Sequence, residues 1–457
     1  MAQIKEPFTI PRSAIIITLL IFIGLTFGIA LDFNLAIPIV IFGGIGFFIL
    51  FRERPLTFLS LLIIARMSLD YSSQYVTITI RDYNLSLSQI LGLAIGLLGL
   101  YLIYLYRERQ KHFLLTGPFL LLILWGTVTL AYSLSWTTSL TEIIRIFDLY
   151  VIGLLGFLFV HTPKDFKKLL VALLLSAVIP GLVALYQYLN HIGFSDADVS
   201  IPRIFGTFAH PNTLSLYLFA LLIVWLIYQR TVAPQNKGSF SLPLYGILSL
   251  LLLLLFLTFA RVAWLITFLF VLGLAFFRYR VLLIPLIILP LFLLFVSPAF
   301  QDRVAESFSP DPDSSIVWRK TLWSDVITKT LQDDRVLLGS GINTFPLFAS
   351  TVRDSVVGSN DAHNDFVKFF IEGGVLGLSV LLLFYGWLIY LLLRIKKTTS
   401  EALIQDFILI MFLFTGCLFI AGFTDNIFKN TPVEWIYFVL FGALLALTQK
   451  QGTKKDS

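Results

Sequence analysis

The sequence predicts an all-α polytopic membrane protein of 12–14 transmembrane helices, with one long external loop containing short helices. Three observations predict it. Of the 457 residues, 58% are hydrophobic and only 13% charged, against roughly 25% charged in a soluble domain. Mean hydropathy is +0.89. Apolar runs of about 18 residues or more recur, twice the length that strands of a barrel would need. This composition excludes a soluble enzyme, a disordered chain and a disulfide scaffold. The lone cysteine, Cys417, lies in an apolar run and permits neither an intrachain disulfide nor a cysteine-rich metal site.

The runs fall at about 13–31, 33–50, 56–69, 85–106, 113–133, 142–160, 169–189, 208–229, 241–260, 262–277, 281–297, 368–393, 403–423 and 432–449. The third is short, and the ninth and tenth form a hairpin with Arg261 at its tip, so either could be re-entrant. The chain divides into an N-terminal bundle (1–297), a loop (298–367), and C-terminal spans with a tail (368–457). The first span is not a cleavable signal, because a second follows at once without a small-residue cleavage site.

Basic residues set the orientation. With the N-terminus in the cytoplasm, 20 of the 33 Lys and Arg fall in cytoplasmic segments. The short loops opposite hold only Arg81, Arg203, Arg261 and Lys429. This bias places both termini in the cytoplasm and the 298–367 loop outside. The net charge of +6 therefore reflects orientation and gives no nucleic-acid signal.

The loop is too long for a connector and too short for a separate domain, which makes it a candidate functional lid. Within it Trp318, Leu322 and Val326 recur at i, i+4 and predict a helix with one apolar stripe. SPDPDSS before it reads as a loop with a helix start, and LLGSGINTF after it as a helix end and glycine turn.

A charge near the bilayer centre costs about 2.5–3.5 kcal/mol, so each needs a reason. Glu142, Arg145 and Asp148 run at i, i+3, i+6 on one face of the sixth span; they can neutralise one another and line a polar cavity. On the external side, Arg203 precedes the eighth span in IPRIFGTFAHPN, Arg261 lies in LTFARVAWL, Arg319 in VWRKTLWSDV, and His363 in SNDAHNDFVKFF. An arginine in such a place can be an interfacial residue or an anion clamp, since a guanidinium can hold two phosphate oxygens at once. A neutral imidazole at His363 can cap a helix or accept a proton. His210, close to Arg203, is the second choice for that role. Asp361, His363 and Asp365 alternate as D-x-H-x-D, a pattern that reads as helix caps before it reads as a metal site. Asp311-Pro-Asp313 reads as a turn. Gly339 and Gly341 have no following lysine and form no phosphate loop. Neither metal nor cofactor is expected.

In order, RIFGTFAHPN, LTFARVAWL, WRKTLWSDV, LLGSGINTF and AHNDFVKFFIEGGVLGL resemble the O-antigen ligase and polymerase family of bacterial membrane glycosyltransferases. The resemblance runs from about Arg203 to Leu383. One departure is Ala260, where the family has serine before the arginine. The resemblance implies transfer of a glycan from an undecaprenyl-diphosphate carrier to an acceptor hydroxyl, at the external face of the bacterial inner membrane. By the same resemblance, Arg203, Arg261 and Arg319 would bind the donor diphosphate. His363 would be the catalytic base, with Asn212, Asn364, Glu372 and His210 supporting them. The partners would be the carrier-linked donor, a lipid- or glycan-linked acceptor and the bilayer. Polymerase, protein O-glycosyltransferase and bicarbonate or small-solute transport are the alternatives.

Overall fold

The computed structural model describes residues 36–70, 77–80, 83–194, 202–232, 242–306, 308, 315–352 and 361–455. The chain is an all-α polytopic membrane protein. Its helices are α1 (Ala36–Glu53), α2 (Pro55–Ser68), α3 (Leu87–Leu105), α4 (Arg107–Gln110), α5 (Thr116–Thr129) and α6 (Trp136–Phe159). Then follow α7 (Pro163–Leu175), α8 (Val178–Leu189), α9 (Pro211–Val232), α10 (Leu242–Leu257), α11 (Arg261–Phe277) and α12 (Leu283–Val296). The last are α13 (Pro298–Glu306), α14 (Ser315–Gln332), α15 (Phe345–Ser350), α16 (Asp365–Thr398), α17 (Ala402–Ala421) and α18 (Thr431–Lys455). A small antiparallel hairpin, β1 (Thr77–Ile80) with β2 (Tyr83–Ser86), interrupts the helices before α3.

Among the described residues, six helices are long and apolar enough to cross a membrane, or up to seven if the bent pair around Ser297 is one span. Four more apolar helices are shorter: Pro55–Ser68, Thr116–Thr129, Leu244–Leu257 and Arg261–Phe277. Each apolar run from 33–50 onward coincides with a helix or a helix pair. The run at 13–31 lies outside the described residues.

The bundle closes around α6 and α18, which share its most extensive helix contact. Small residues make that approach possible: a Cβ on Gly442 would collide with the Gly153 carbonyl, and one on Gly156 with the Val439 carbonyl. Close backbone contact is what holds helices together where lipid supplies no hydrophobic drive. Opposite ends of the bundle are told apart by their contacts. Arg109 bonds His161 at 2.9 Å and Gln449 donates to the His112 carbonyl at 2.6 Å at one end. Thr207 donates to the Met67 carbonyl at 2.8 Å at the other, where the functional candidates lie.

The segment between α12 and α16 forms a second small core. The predicted stripe on α14 is its centre: Leu322 and Val326 are buried against Phe345, Phe348 and Ile371, with Trp318 packed beside them. The glycine turn after α14 enters a break in α16. At Gly374, φ is +61°, and the helix above and below bonds to the turn instead of to itself. Ser340 and Gly341 donate to the Ile371 and Glu372 carbonyls at 3.0 and 2.8 Å, and Val375 donates to the Val336 carbonyl at 2.8 Å. A side chain at Gly339 (φ +70°) would meet the Glu372 backbone, so close approach demands glycine there.

Candidate active site

Four segments converge at this end of the bundle. The first is the stretch before α9. Phe194 and Arg203 pair as an antiparallel bridge, and Gln187 of α8 accepts from the Phe205 and Gly206 N–H groups at 3.0 and 2.8 Å. Arg203 is thereby buried, with 5% of its surface exposed. Its Nε donates to the Thr258 carbonyl at 2.9 Å, which ties it to the end of α10, and its Nη2 donates to Asn212 Oδ1 at 2.9 Å. Pro211 opens α9 with the fixed φ suited to a first helical turn. His210 Nδ1 accepts from the Asn212 N–H at 3.1 Å.

The second segment is the entry to α16. Asn364 caps the helix, accepting from the Phe366 and Val367 N–H groups at 2.9 and 3.1 Å. Its Nδ2 donates to the Phe423 carbonyl at 3.0 Å. His363 stands just before it with φ at +45°, a conformation that histidine adopts more readily than bulkier residues. The third is α14, whose Arg319 Nη1 donates to the Thr424 carbonyl at 3.1 Å and whose Trp323 indole donates to the Ala362 carbonyl at 2.7 Å. The Trp318 ring lies edge-on to His363, 6.5 Å between centroids.

The fourth segment, between α17 and α18, carries Asp425, and this residue joins the others. One carboxylate oxygen accepts from Asn212 Nδ2 at 2.8 Å. The other faces His363 Nδ1 at 3.3 Å and accepts from the Asn426 N–H at 2.8 Å. Burial alone would raise the Asp425 pKa. The hydrogen bond from His363, the charges of His363 and Arg319, and the Asn426 N–H outweigh it and lower it to about 2. A charged carboxylate so placed keeps the histidine proton on Nδ1 and leaves Nε2 as the basic nitrogen. His210 shares the same field. Burial first, and then the charge of Arg203, lower its pKa to about 4, so it is neutral at physiological pH.

The structure thus brings Arg203, His210, Asn212, Arg319, His363 and Asn364 to one place. Among the described residues, the contacts shown for Arg261 and Glu372 lie elsewhere. Arg261 is the first residue of α11 and pairs with Glu306 at 3.2 Å; Glu306 also pairs with Arg303 at 2.6 Å. Glu372 accepts from the Phe345 N–H at 3.1 Å and lies 3.5 Å from Lys368 Nζ, so it braces the glycine turn. The D-x-H-x-D side chains part company: Asp361 pairs with Lys429 at 3.2 Å, and Asp365 accepts from the Phe428 N–H at 3.1 Å. Among the described residues no group of three or more His, Cys, Asp or Glu converges on a possible metal position.

Sequence reasoning missed Asp425. The one signal available was an acidic and amide pair, TDN, in a very short connection between two spans, where a carboxylate needs a partner.

No curated protein matches the chain. Residues 246–382 match the family model described as O-antigen ligase. The matched stretch includes Arg261, Arg319, His363 and Glu372, while Arg203, His210, Asn212 and Asp425 lie outside it. Over residues 246–382, the stretch that carries the loop helix and the histidine–asparagine entry to α16, the chain is similar to the O-antigen ligase family.

Proposed function

We propose that the protein is a membrane glycosyltransferase that moves a glycan from an undecaprenyl-diphosphate carrier to an acceptor hydroxyl at the external membrane face. The observation that carries this reading is the His363–Asp425–Asn212–Arg203 chain of contacts, which sets a base beside an arginine in one partly buried site. His363 Nε2 takes the proton of the acceptor hydroxyl. The freed oxygen attacks the anomeric carbon, and the bond from that carbon to the diphosphate oxygen breaks. The electron pair leaves with the diphosphate, and attack from the opposite face inverts the carbon. Arg203 and Arg319 hold the developing charge, which is worth more in a desolvated site than in water. Arg261 joins them by exchanging Glu306 for a phosphate oxygen. Asn364 fixes the start of α16, and His210 and Asn212 fix the start of α9.

The test is transfer itself. Purified protein is incubated with an undecaprenyl-diphosphate-linked oligosaccharide and two acceptors, a lipid-linked core and a second carrier-linked glycan. Glycan on the core supports a ligase, and a lengthened carrier-linked glycan supports a polymerase. Arg203→Ala and Arg261→Ala should each weaken donor binding about ten- to a hundredfold. Absence of transfer to any acceptor, with solute flux in proteoliposomes, would replace this reading with transport.

A further inference from the structure

A cavity between α2, α3, α6 and α18 takes no part in the chemistry proposed above. Its volume is about 300 Å³, at the small end of ligand pockets, which run from roughly 300 to 1,000 Å³. Water alone would fill it with on the order of ten molecules. Arg66, Gln89, Glu142, Arg145, Asp148 and Trp435 line it. It adjoins the site, because Thr431 of its wall follows directly on the connection that carries Asp425, and Arg145 donates to the Phe428 carbonyl within that connection.

The wall offers no spare positive charge to an anion. Arg66 is paired with Asp70, and Arg145 with Glu142 and Glu434, so both positive charges are already neutralised. What the wall leaves over is one acceptor and one donor. Asp148 is 6% exposed and Trp435 3% exposed. Asp148 Oδ1 and Trp435 Nε1 are buried and have no hydrogen-bond partner among the described residues. Native proteins rarely leave such atoms unpaired. Gly92 of α3 makes room for the carboxylate: a Cβ there would lie 3.1 Å from Asp148 Oδ2. A neutral polyol suits this wall. Each hydroxyl both donates and accepts, a carboxylate takes hydroxyl protons, and an indole offers an apolar face and one N–H.

We propose that this cavity is a sugar-binding subsite, in which Asp148 accepts from the hydroxyl groups of one pyranose unit and Trp435 Nε1 donates to it. It rests on the glycosyl-transfer reading only for where the sugar comes from, the donor glycan or the acceptor glycan.

Purified protein in nanodiscs is mixed with D-glucose, D-galactose or N-acetyl-D-glucosamine, and contact is read by saturation-transfer difference NMR on the ring protons. At least one sugar gives transfer in the unaltered protein. Asp148→Asn, which keeps the shape, weakens binding about tenfold or more. Gly92→Leu, which fills the cavity and crowds Asp148 Oδ2 while removing no polar residue, abolishes it. No transfer from any of the three sugars, or equal transfer in all three proteins, overturns the proposal and leaves a water-filled cavity. Should Gly92→Leu not fold, Asp148→Asn decides alone. Because no turnover is needed, this result stands apart from whether glycan transfer occurs. The source follows from a second measurement. If the donor supplies the sugar, Asp148→Asn weakens binding of the glycan-bearing carrier and spares bare undecaprenyl diphosphate. If the acceptor supplies it, acceptor KM rises and carrier binding is unchanged.

Discussion

Two clusters of buried charge lie at the same end of the bundle and close in different ways. Around Arg145, Glu142 and Glu434 each pair at 2.7 Å, and the Phe428 carbonyl accepts a further N–H. These charges pair in place, one arginine between two carboxylates, between α6 and α18, the two helices in closest contact. Around Asp425 the bonds run in a line, from Arg203 through Asn212 and the carboxylate to His363. That line ends on an imidazole whose second nitrogen is left basic. A cluster that closes on itself holds helices together; one that ends on a titratable ring can pass a proton.

The largest effect expected from this contrast is at His363. His363→Ala should lower transfer 10²–10⁴-fold, about the range for loss of a general base, while donor binding survives. Full transfer in a folded His363→Ala protein would remove the chemical role from the Asp425 line altogether, and His210 would be tested next.

Arg145→Leu should act on stability instead. It leaves two carboxylates facing each other in an apolar bundle, and breaking a buried ion pair costs about 3–5 kcal/mol. The unfolding midpoint in detergent should fall, and the loss of stability should exceed any loss of turnover in the folded fraction. Lower turnover at unchanged stability would mean that the two clusters work as one.

Asp425→Asn sharpens the comparison from the other side. The shape is kept, but the charge that orients His363 is lost, so kcat should fall about ten- to a hundredfold, the usual cost of losing an orienting partner. Combined with His363→Ala it should add little, since both changes remove one unit. Independent, multiplying losses in the double variant would show that Asp425 acts on something other than the histidine.

The smallest effect is a pH dependence of stability. His210 is lowered from 6.5 to about 4 in the folded protein, so only the unfolded chain takes up its proton between those values. Its contribution, at most about 3 kcal/mol, is fully present above 6.5 and is lost as pH falls toward 4. His210→Gln should flatten the fall of the unfolding midpoint over that window. An unchanged slope would place His210 in a more solvated position than its contacts with Asn212 and the Phe194 ring imply.

How far the sequence alone reaches can be judged residue by residue. It determined the apolar spans, because hydropathy over a window is a local property and lipid demands that every spanning backbone be helical. It determined the α14 stripe, because Trp318, Leu322 and Val326 share a face by helical periodicity alone. It marked Arg203, Arg319 and His363 as residues at one side of the membrane, since the bias of basic residues tells sides apart. Only the tertiary structure decided what those residues touch. Asp425 meets His363 across 62 positions and Asn212 across 213, distances over which no periodicity carries. Arg261 has no carboxylate near it along the chain, yet the bend between α12 and α13 delivers Glu306 to it. The break in α16 is of the same kind. EGGVLG lies inside a predicted span, but the carbonyl that replaces the lost helix partner comes from Val336, in a loop whose own shape depends on where α14 packs. Local chemistry sets which groups must find a partner, and the path of the whole chain through space chooses the partner.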